Sequence, residues 1–360
     1  MANKRISEMN LPKSIANVFA ARNLFTAKDV LSRTEYELME ILDMDLAQVT
    51  SAVAHISEIA CPPFHTAFSL LERVQNECFS GHLPTRLKGL DVVLSGGLPF
   101  GVLTELVGPA GIGKTQFCMK MSLLASLPLS YGGLDGHVIY VDVESKFSSR
   151  RIIEIGLNSF PDVFHMEGMA REMAGRIVVL RPTSLNDFTE SLQEIKLSVL
   201  QHKVKLLVID SITALLSGEL EQGPRQLHPL SWHTSFIKSL AEFSRIPVIV
   251  TNQVRSQSLS EASLYSFQVQ NKGLHEPVMY DSHLTAALGI NWAHSVTIRI
   301  VLEAKSGKRF MKVTKSPISP PMMFPFCITS SGISLLSDVG MEMSGLQINS
   351  IHNEDYSPKY

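Results

Sequence analysis

The order of apolar and polar positions divides the chain into stretches of different character. From Leu11 to about Ile59, apolar residues recur at helical spacing through IANVFAA, TAKDVLS, EYELMEILDM and LAQVTSAVAHISEIA, which predicts a small all-helical domain over 1–60. Ser32 or Thr34 is placed to cap EYELMEIL, because a side-chain oxygen there accepts an amide that the first turn leaves unpaired. Cys61-Pro62-Pro63 then stops any helix, since proline lacks a donor and pushes the preceding residue out of the helical region. Residues 61–82 read as a linker. Beyond it, VLTELVG, HVIYVDVE, RIVVLRP, KLLVIDSI and IPVIVTNQV each hold several consecutive apolar residues, separated by longer helical stretches. Runs of that kind suit strands buried on both faces, and the alternation predicts an α/β core with a mostly parallel sheet. After about residue 284, HSVTIRIVLEAK, KRFMKVTKSP and FPFCITSSGISLL predict antiparallel strands that complete a core over 83–336. The polar tail 337–360 predicts disorder.

Composition narrows the setting. The chain has 360 residues, 45% hydrophobic and 18% charged, enough for a small module beside a large core. It holds no apolar run of about 18 residues, and MANKRISEMN lacks the apolar stretch of a secretory signal, so a soluble intracellular protein is expected. Four cysteines lie far apart with no CxxC pair, which argues against a zinc site and against a disulfide framework. The net charge of −2 supplies no global field to attract nucleic acid, so any DNA contact must be local or shared with a partner.

One stretch carries a specific chemistry. Gly108-Pro109-Ala110-Gly111-Ile112-Gly113-Lys114-Thr115 fits GxxxxGK[ST], follows the strand-like VLTELV and precedes the helical QFCMKMSLLASL. In that context the amides of Gly111, Gly113 and Lys114 point at a β-phosphate at the positive end of a helix. Lys114 supplies a mobile charge and Thr115 a hydroxyl for magnesium. The candidate nucleotide segment runs on through Gln116. Asp210 ends the buried run LLVIDS, where a carboxylate holds the magnesium shell or simply caps a helix. Glu144, at the end of VIYVDVE, is a carboxylate available to orient or deprotonate water, while alternation turns Asp142 to the other side of the strand. Gln253, at the end of VIVTNQV, fits a γ-phosphate contact or a plain turn residue equally well.

In order and spacing, LSGGLPFGVLTELVGPAGIGKTQFC, VIYVDVES with FSSRR, LLVIDSITALL and VIVTNQV resemble the P-loop ATPase core of the RecA-like recombinases, in their eukaryotic and archaeal branch. The resemblance covers roughly 83–335, and the ALGINWAHSV segment and the late KSP bring it nearest to the B-type subgroup of eukaryotic recombinase paralogues. It implies ATP and Mg2+ as cofactors, with Lys114 and Thr115 on the nucleotide and metal and Asp210 completing the metal site. It implies Glu144 as the water-activating glutamate and Gln253 as the link from γ-phosphate to a DNA loop. Arg151, by residue type alone a solvated helix cation, matches the arginine that stacks on adenine. The implied setting is homologous recombination repair in the nucleus.

The same resemblance places DNA loops at about 216–230 and 254–287, and both carry little positive charge. The first offers Arg225 against Glu219 and Glu221; the second offers Arg255 and Lys272 against Glu261, Glu276 and Asp281. Counterion release scales with phosphate contacts, so single-stranded or branched DNA is expected to bind weakly to this chain alone. In the helical domain, LDMDLAQV lacks the family's hairpin glycine and sets Asp43 and Asp45 at the turn, which favours packing or protein contact over DNA. Phe64-His65-Thr66-Ala67 resembles the F-x-x-A element with which one protomer anchors in its neighbour, Phe64 and Ala67 being the contact residues. Thr314-Lys315-Ser316-Pro317 matches a loop that caps the neighbour's ATP, so Lys315 faces that site or is a solvated strand-end lysine. The partners implied are other recombinase paralogues in a hetero-oligomer, a C-type paralogue first, and the main recombinase.

Overall fold

Where each segment hides its apolar side chains determines the architecture. The computed structural model describes residues 4–61, 65–76, 81–215, 229–256, 284–286 and 288–353, and the chain divides into two units, Met1–Cys78 and Phe79–Tyr360. Phe64, Arg225 and Lys272 lie outside the described residues, as does most of both candidate DNA loops.

In the first unit, α1 (Lys13–Ala21), α2 (Ala27–Leu31), α3 (Glu35–Leu42) and α4 (Leu46–Ala60) enclose Phe19, Val30, Leu38, Val49 and Ile56. Thr34, rather than Ser32, caps α3: its hydroxyl accepts the Glu37 amide while the Glu37 carboxylate accepts the Thr34 amide at 2.8 Å. Reciprocal capping of this sort stabilises a helix start by about 1 kcal/mol. Asp43 takes a left-handed conformation (φ 52°) that ends α3, and the Asp45 carboxylate accepts the Gln48 amide at 2.8 Å to start α4. The turn between these helices therefore carries two carboxylates.

The second unit opens with β1 (His82–Leu83) paired to β2 (Leu98–Pro99). Five strands then run parallel: β3 (Leu103–Val107), β4 (His137–Asp142), β5 (Ile177–Leu180), β6 (Val204–Asp210) and β7 (Val248–Asn252). A separate pair, β8 (Val254–Ser256) and β9 (Leu284–Ala286), follows, and β10 (Ile298–Lys305) rejoins the sheet parallel to β3. Antiparallel β11 (Lys308–Lys315), β12 (Met322–Thr329), β13 (Gly332–Leu335) and β14 (Met341–Glu342) extend it. Among the described residues the order is β13-β12-β11-β10-β3-β7-β6-β4-β5, with β14 on β12. The continuous apolar runs are explained by cover on both faces. In β4, Val138 and Tyr140 join a core with Phe117 and Leu106, while Ile139 and Val141 join one with Phe188 and Ile209. Parallel register sets Asp142 opposite Asp210 and Val107 opposite Asn252, so the carboxyl ends of β3, β4, β6 and β7 open on one crevice.

The expectation of disorder over 337–360 is corrected for 337–353. β14 pairs with β12, Met343 and Ile351 are buried, and the Ala304 amide donates to the His352 carbonyl at 3.2 Å. These two apolar anchors, too widely spaced to make a periodic pattern, fold the tail over a buried ion pair. Lys312 donates to Glu303 at 3.2 Å and to the Ser350 carbonyl at 2.7 Å, and Glu303 also accepts the His352 amide at 3.0 Å. Removing one partner of a buried pair strands the other charge. Glu303→Ala is therefore expected to lower stability by about 3–5 kcal/mol, seen as a lower urea midpoint, with the tail more open to protease.

Candidate functional site

β3 is buried along its whole length and delivers the chain into the phosphate-binding turn. Gly108 is a glycine because its backbone passes under another strand: a Cβ there would lie 2.5 Å from the Leu302 carbonyl oxygen. Gly113 has φ 124° and precedes the helix Lys114–Ser126, whose flanks are buried nearly all round, Phe117, Cys118 and Met121 among them. The positive helix end is thus fixed at the crevice, with Pro109, Ala110, Gly111 and Ile112 forming the loop before it. Lys114 folds back across this loop, donating to the carbonyls of Gly108 at 2.6 Å and Pro109 at 2.9 Å. Burial lowers its pKa to about 8, against the pull of Asp210 and Glu144.

Asp210 ends β6 and is nearly buried. Thr115 Oγ1 (2.7 Å) and Tyr140 Oη (2.8 Å) both donate to its Oδ2, and Thr251 Oγ1 (2.6 Å) donates to Oδ1. The Thr115 hydroxyl and Asp210 carboxylate form a pair of hard oxygen donors, which fits magnesium. Among the described residues no three His, Cys, Asp or Glu side chains gather closely enough to hold a metal, so this pair would share the ion with phosphate oxygens.

Glu144 lies just past β4, in the turn before the helix Ser149–Ser159. Its Oε1 accepts from Gln253 Nε2 at 2.6 Å and from Ser211 Oγ at 3.1 Å, and Lys146 pairs with its other oxygen. Burial raises the Glu144 pKa, but Lys146, Ser211 and Gln253 together outweigh burial and hold it below the ordinary carboxylate value. Such a carboxylate is ionised at neutral pH and suited to orienting water. Asp142 faces elsewhere, accepting from the Lys146 amide at 2.8 Å and from Arg181 at 3.1 Å.

Arg151, in the first turn of the helix Ser149–Ser159, donates through Nε to Gln116 Oε1 at 2.8 Å and through its guanidinium to the carbonyls of Thr329 and Ser330 in the β12–β13 turn. It also pairs with Glu154 at 2.9 Å. The guanidinium plane is thereby held from two sides. Lys315 is engaged within its own chain: Nζ donates to the carbonyls of Ala293 (2.8 Å) and Val296 (2.5 Å), closing the helix Gly289–Ser295. Ala67 begins the helix Ala67–Asn76, and Arg255 lies in β8 opposite Thr285. The structure thus joins Thr115 to Asp210 and Gln253 to Glu144 by direct hydrogen bonds, while Lys114 meets the loop carbonyls and feels Asp210 and Glu144 only as nearby charges. Sequence reading missed Tyr140, Thr251 and Lys146, whose polar ends reach the site from apolar strands and a turn; a tyrosine two residues before a strand-end aspartate was the available signal.

A profile described as Rad51 matches residues 81–336, and one described as XRCC3/RpoA-like, helix-hairpin-helix domain matches 6–60. The chain is 66% identical over 360 residues to the Arabidopsis thaliana protein named DNA repair protein RAD51 homolog 2, covering 99% of this chain and 97% of that protein. Proteins of the same name from Mus musculus (32%, over 93% and 98% of the two chains) and Homo sapiens (30%, over 97% and 93%) are also similar. With its phosphate cradle, its strand order and these likenesses in agreement, the chain belongs to the Rad51 family, on the B-type paralogue branch.

Proposed function

We propose that this chain is a DNA-dependent ATP hydrolase that acts in homologous recombination and double-strand break repair in the nucleus. It serves there as one subunit of a recombinase-paralogue complex that helps the main recombinase load onto, or persist on, single-stranded DNA. The observation that carries the reading is the contact chain from Thr115 to Asp210 and from Ser211 and Gln253 to Glu144 at one sheet end. In this reading Lys114 leaves its two carbonyls for the β- and γ-phosphates. Thr115 and Asp210 would hold magnesium, which would supply positive charge to the phosphates. Glu144 orients the attacking water, and Gln253 reports the state of the γ-phosphate. Arg151 and Gln116 face the base. ADP and inorganic phosphate leave, and the output is a change of conformation.

The acidic balance of the candidate loops and the carboxylates at the α3–α4 turn favour a shared, partner-dependent DNA site. The partner reading rests on Phe64 and Ala67 as an anchor in a neighbouring paralogue, the C-type first. An aromatic anchor in a pocket contributes about 2 kcal/mol or more, so Phe64→Glu is expected to reduce co-purification of a co-expressed paralogue by more than about tenfold. Equal recovery with wild type and variant would reject the anchor.

A further inference from the structure

A carboxylate sits inside a strand whose other side chains are all buried. Glu105 is the middle residue of β3 and is fully buried, and its two oxygens accept three side-chain donors. Asn252 Nδ2 (2.6 Å) and Trp292 Nε1 (2.7 Å) donate to Oε1, and Arg299 Nε (2.6 Å) donates to Oε2. The donors come from three elements: the end of β7, the helix Gly289–Ser295, and β10, where Arg299 stands directly opposite Glu105 in the parallel register.

A pair built only to join β3 and β10 would need Arg299 alone. The two neutral donors instead tie the carboxylate to the residue that precedes Gln253 and to the helix Gly289–Ser295. Asn252 immediately precedes Gln253, whose amide holds Glu144, and Asn252 Oδ1 has no donor among the described residues, so Glu105 is what fixes that amide. Trp292 stands in the helix that follows the second candidate DNA loop in sequence, and Lys315 secures that helix at its other end. Asn252 and Trp292 share Oε1 while Arg299 holds Oε2, so a shift of one donor changes what the others can reach.

We infer that Glu105 is a positioning residue that couples the helix Gly289–Ser295 to the Gln253–Glu144 pair, so that the loop's anchor and the γ-phosphate end of the crevice change state together. The inference rests on the ATP reading above. Glu105 touches neither nucleotide nor reacting atoms; it acts through Asn252 and Trp292.

The chain has two tryptophans, and the other, Trp232, is 44% exposed on the helix Pro229–Ser244. In the full-length chain carrying Trp232→Phe, the emission of Trp292 is recorded with and without ATP and magnesium. Occupancy is measured in the same samples by retention of labelled ATP on ultrafiltration. The expected result is an emission change that saturates with occupancy and that falls at least about fivefold, at equal occupancy, in both Glu105→Gln and Gln253→Ala. Gln253→Ala leaves the buried pair untouched, so it tests the coupling even if Glu105→Gln fails to fold. Occupied chain with unmoved Trp292 emission, or a full change persisting in Gln253→Ala, would overturn the coupling while leaving ATP binding intact. Absence of ATP retention would instead overturn the ATP reading and the coupling with it.

Discussion

Lys114→Ala is expected to weaken ATP binding by about 10²- to 10⁴-fold while moving the melting temperature by only a few degrees. Two charge-assisted contacts to phosphate, each worth about 1.5–3 kcal/mol, set the loss in binding. The small effect on the free chain has a separate cause. Without nucleotide, the ammonium is buried against two carbonyls and pays for that in desolvation, so deleting it removes a cost together with its hydrogen bonds. The same burial gives a pH signature. The free ammonium titrates at about 8, and a bound triphosphate raises that value, so the complex holds more protons than the free chain above pH 8. Affinity is therefore expected to hold near neutral pH and to fall as pH rises through about 8. Lys114→Arg, which stays charged, should lose that dependence. Isothermal titration at several pH values measures both effects.

Glu144→Gln is expected to reduce ATP turnover by about 10²- to 10⁴-fold with nucleotide still bound, because the amide cannot accept a proton from water. It also places an amide against Gln253 Nε2 and Ser211 Oγ, which now donate to a single carboxylate oxygen. With its pKa held down by Lys146 and these donors despite burial, Glu144 remains ionised well into the acid range. Turnover should therefore stay level as pH falls from neutral and decline only through that depressed pKa, below the ordinary carboxylate value. A steady-state pH profile of phosphate release checks the position of the decline.

Much of this was legible in the sequence for a physical reason. Strands covered on both faces leave uninterrupted apolar runs, and VLTELV, HVIYVD, KLLVID and IPVIVTN each became a strand ending at the crevice. The phosphate cradle is local, so spacing alone located Gly108 to Thr115. Groups whose meaning depends on distant partners were not legible. Glu105 and Arg299 interrupt apolar runs 194 residues apart in sequence, and only the parallel register of β3 and β10 brings them together. Nothing in KRFMKVTKSP marks Lys312 as buried, yet the folded tail covers it. Lys315 offered a charge for a neighbour's nucleotide, while its own helix end is what it meets in this chain.

The central claim is that this chain turns over ATP as one subunit of a paralogue complex, and it is tested most directly by phosphate release under single-turnover conditions. The chain co-purified with its paralogue partner is mixed with labelled ATP and magnesium, with and without single-stranded DNA, beside the same complex carrying Glu144→Gln. The account predicts DNA-stimulated release that Glu144→Gln lowers by at least about 10²-fold while ATP remains bound. Equal release from both complexes, or bound ATP that neither complex hydrolyses, would contradict it.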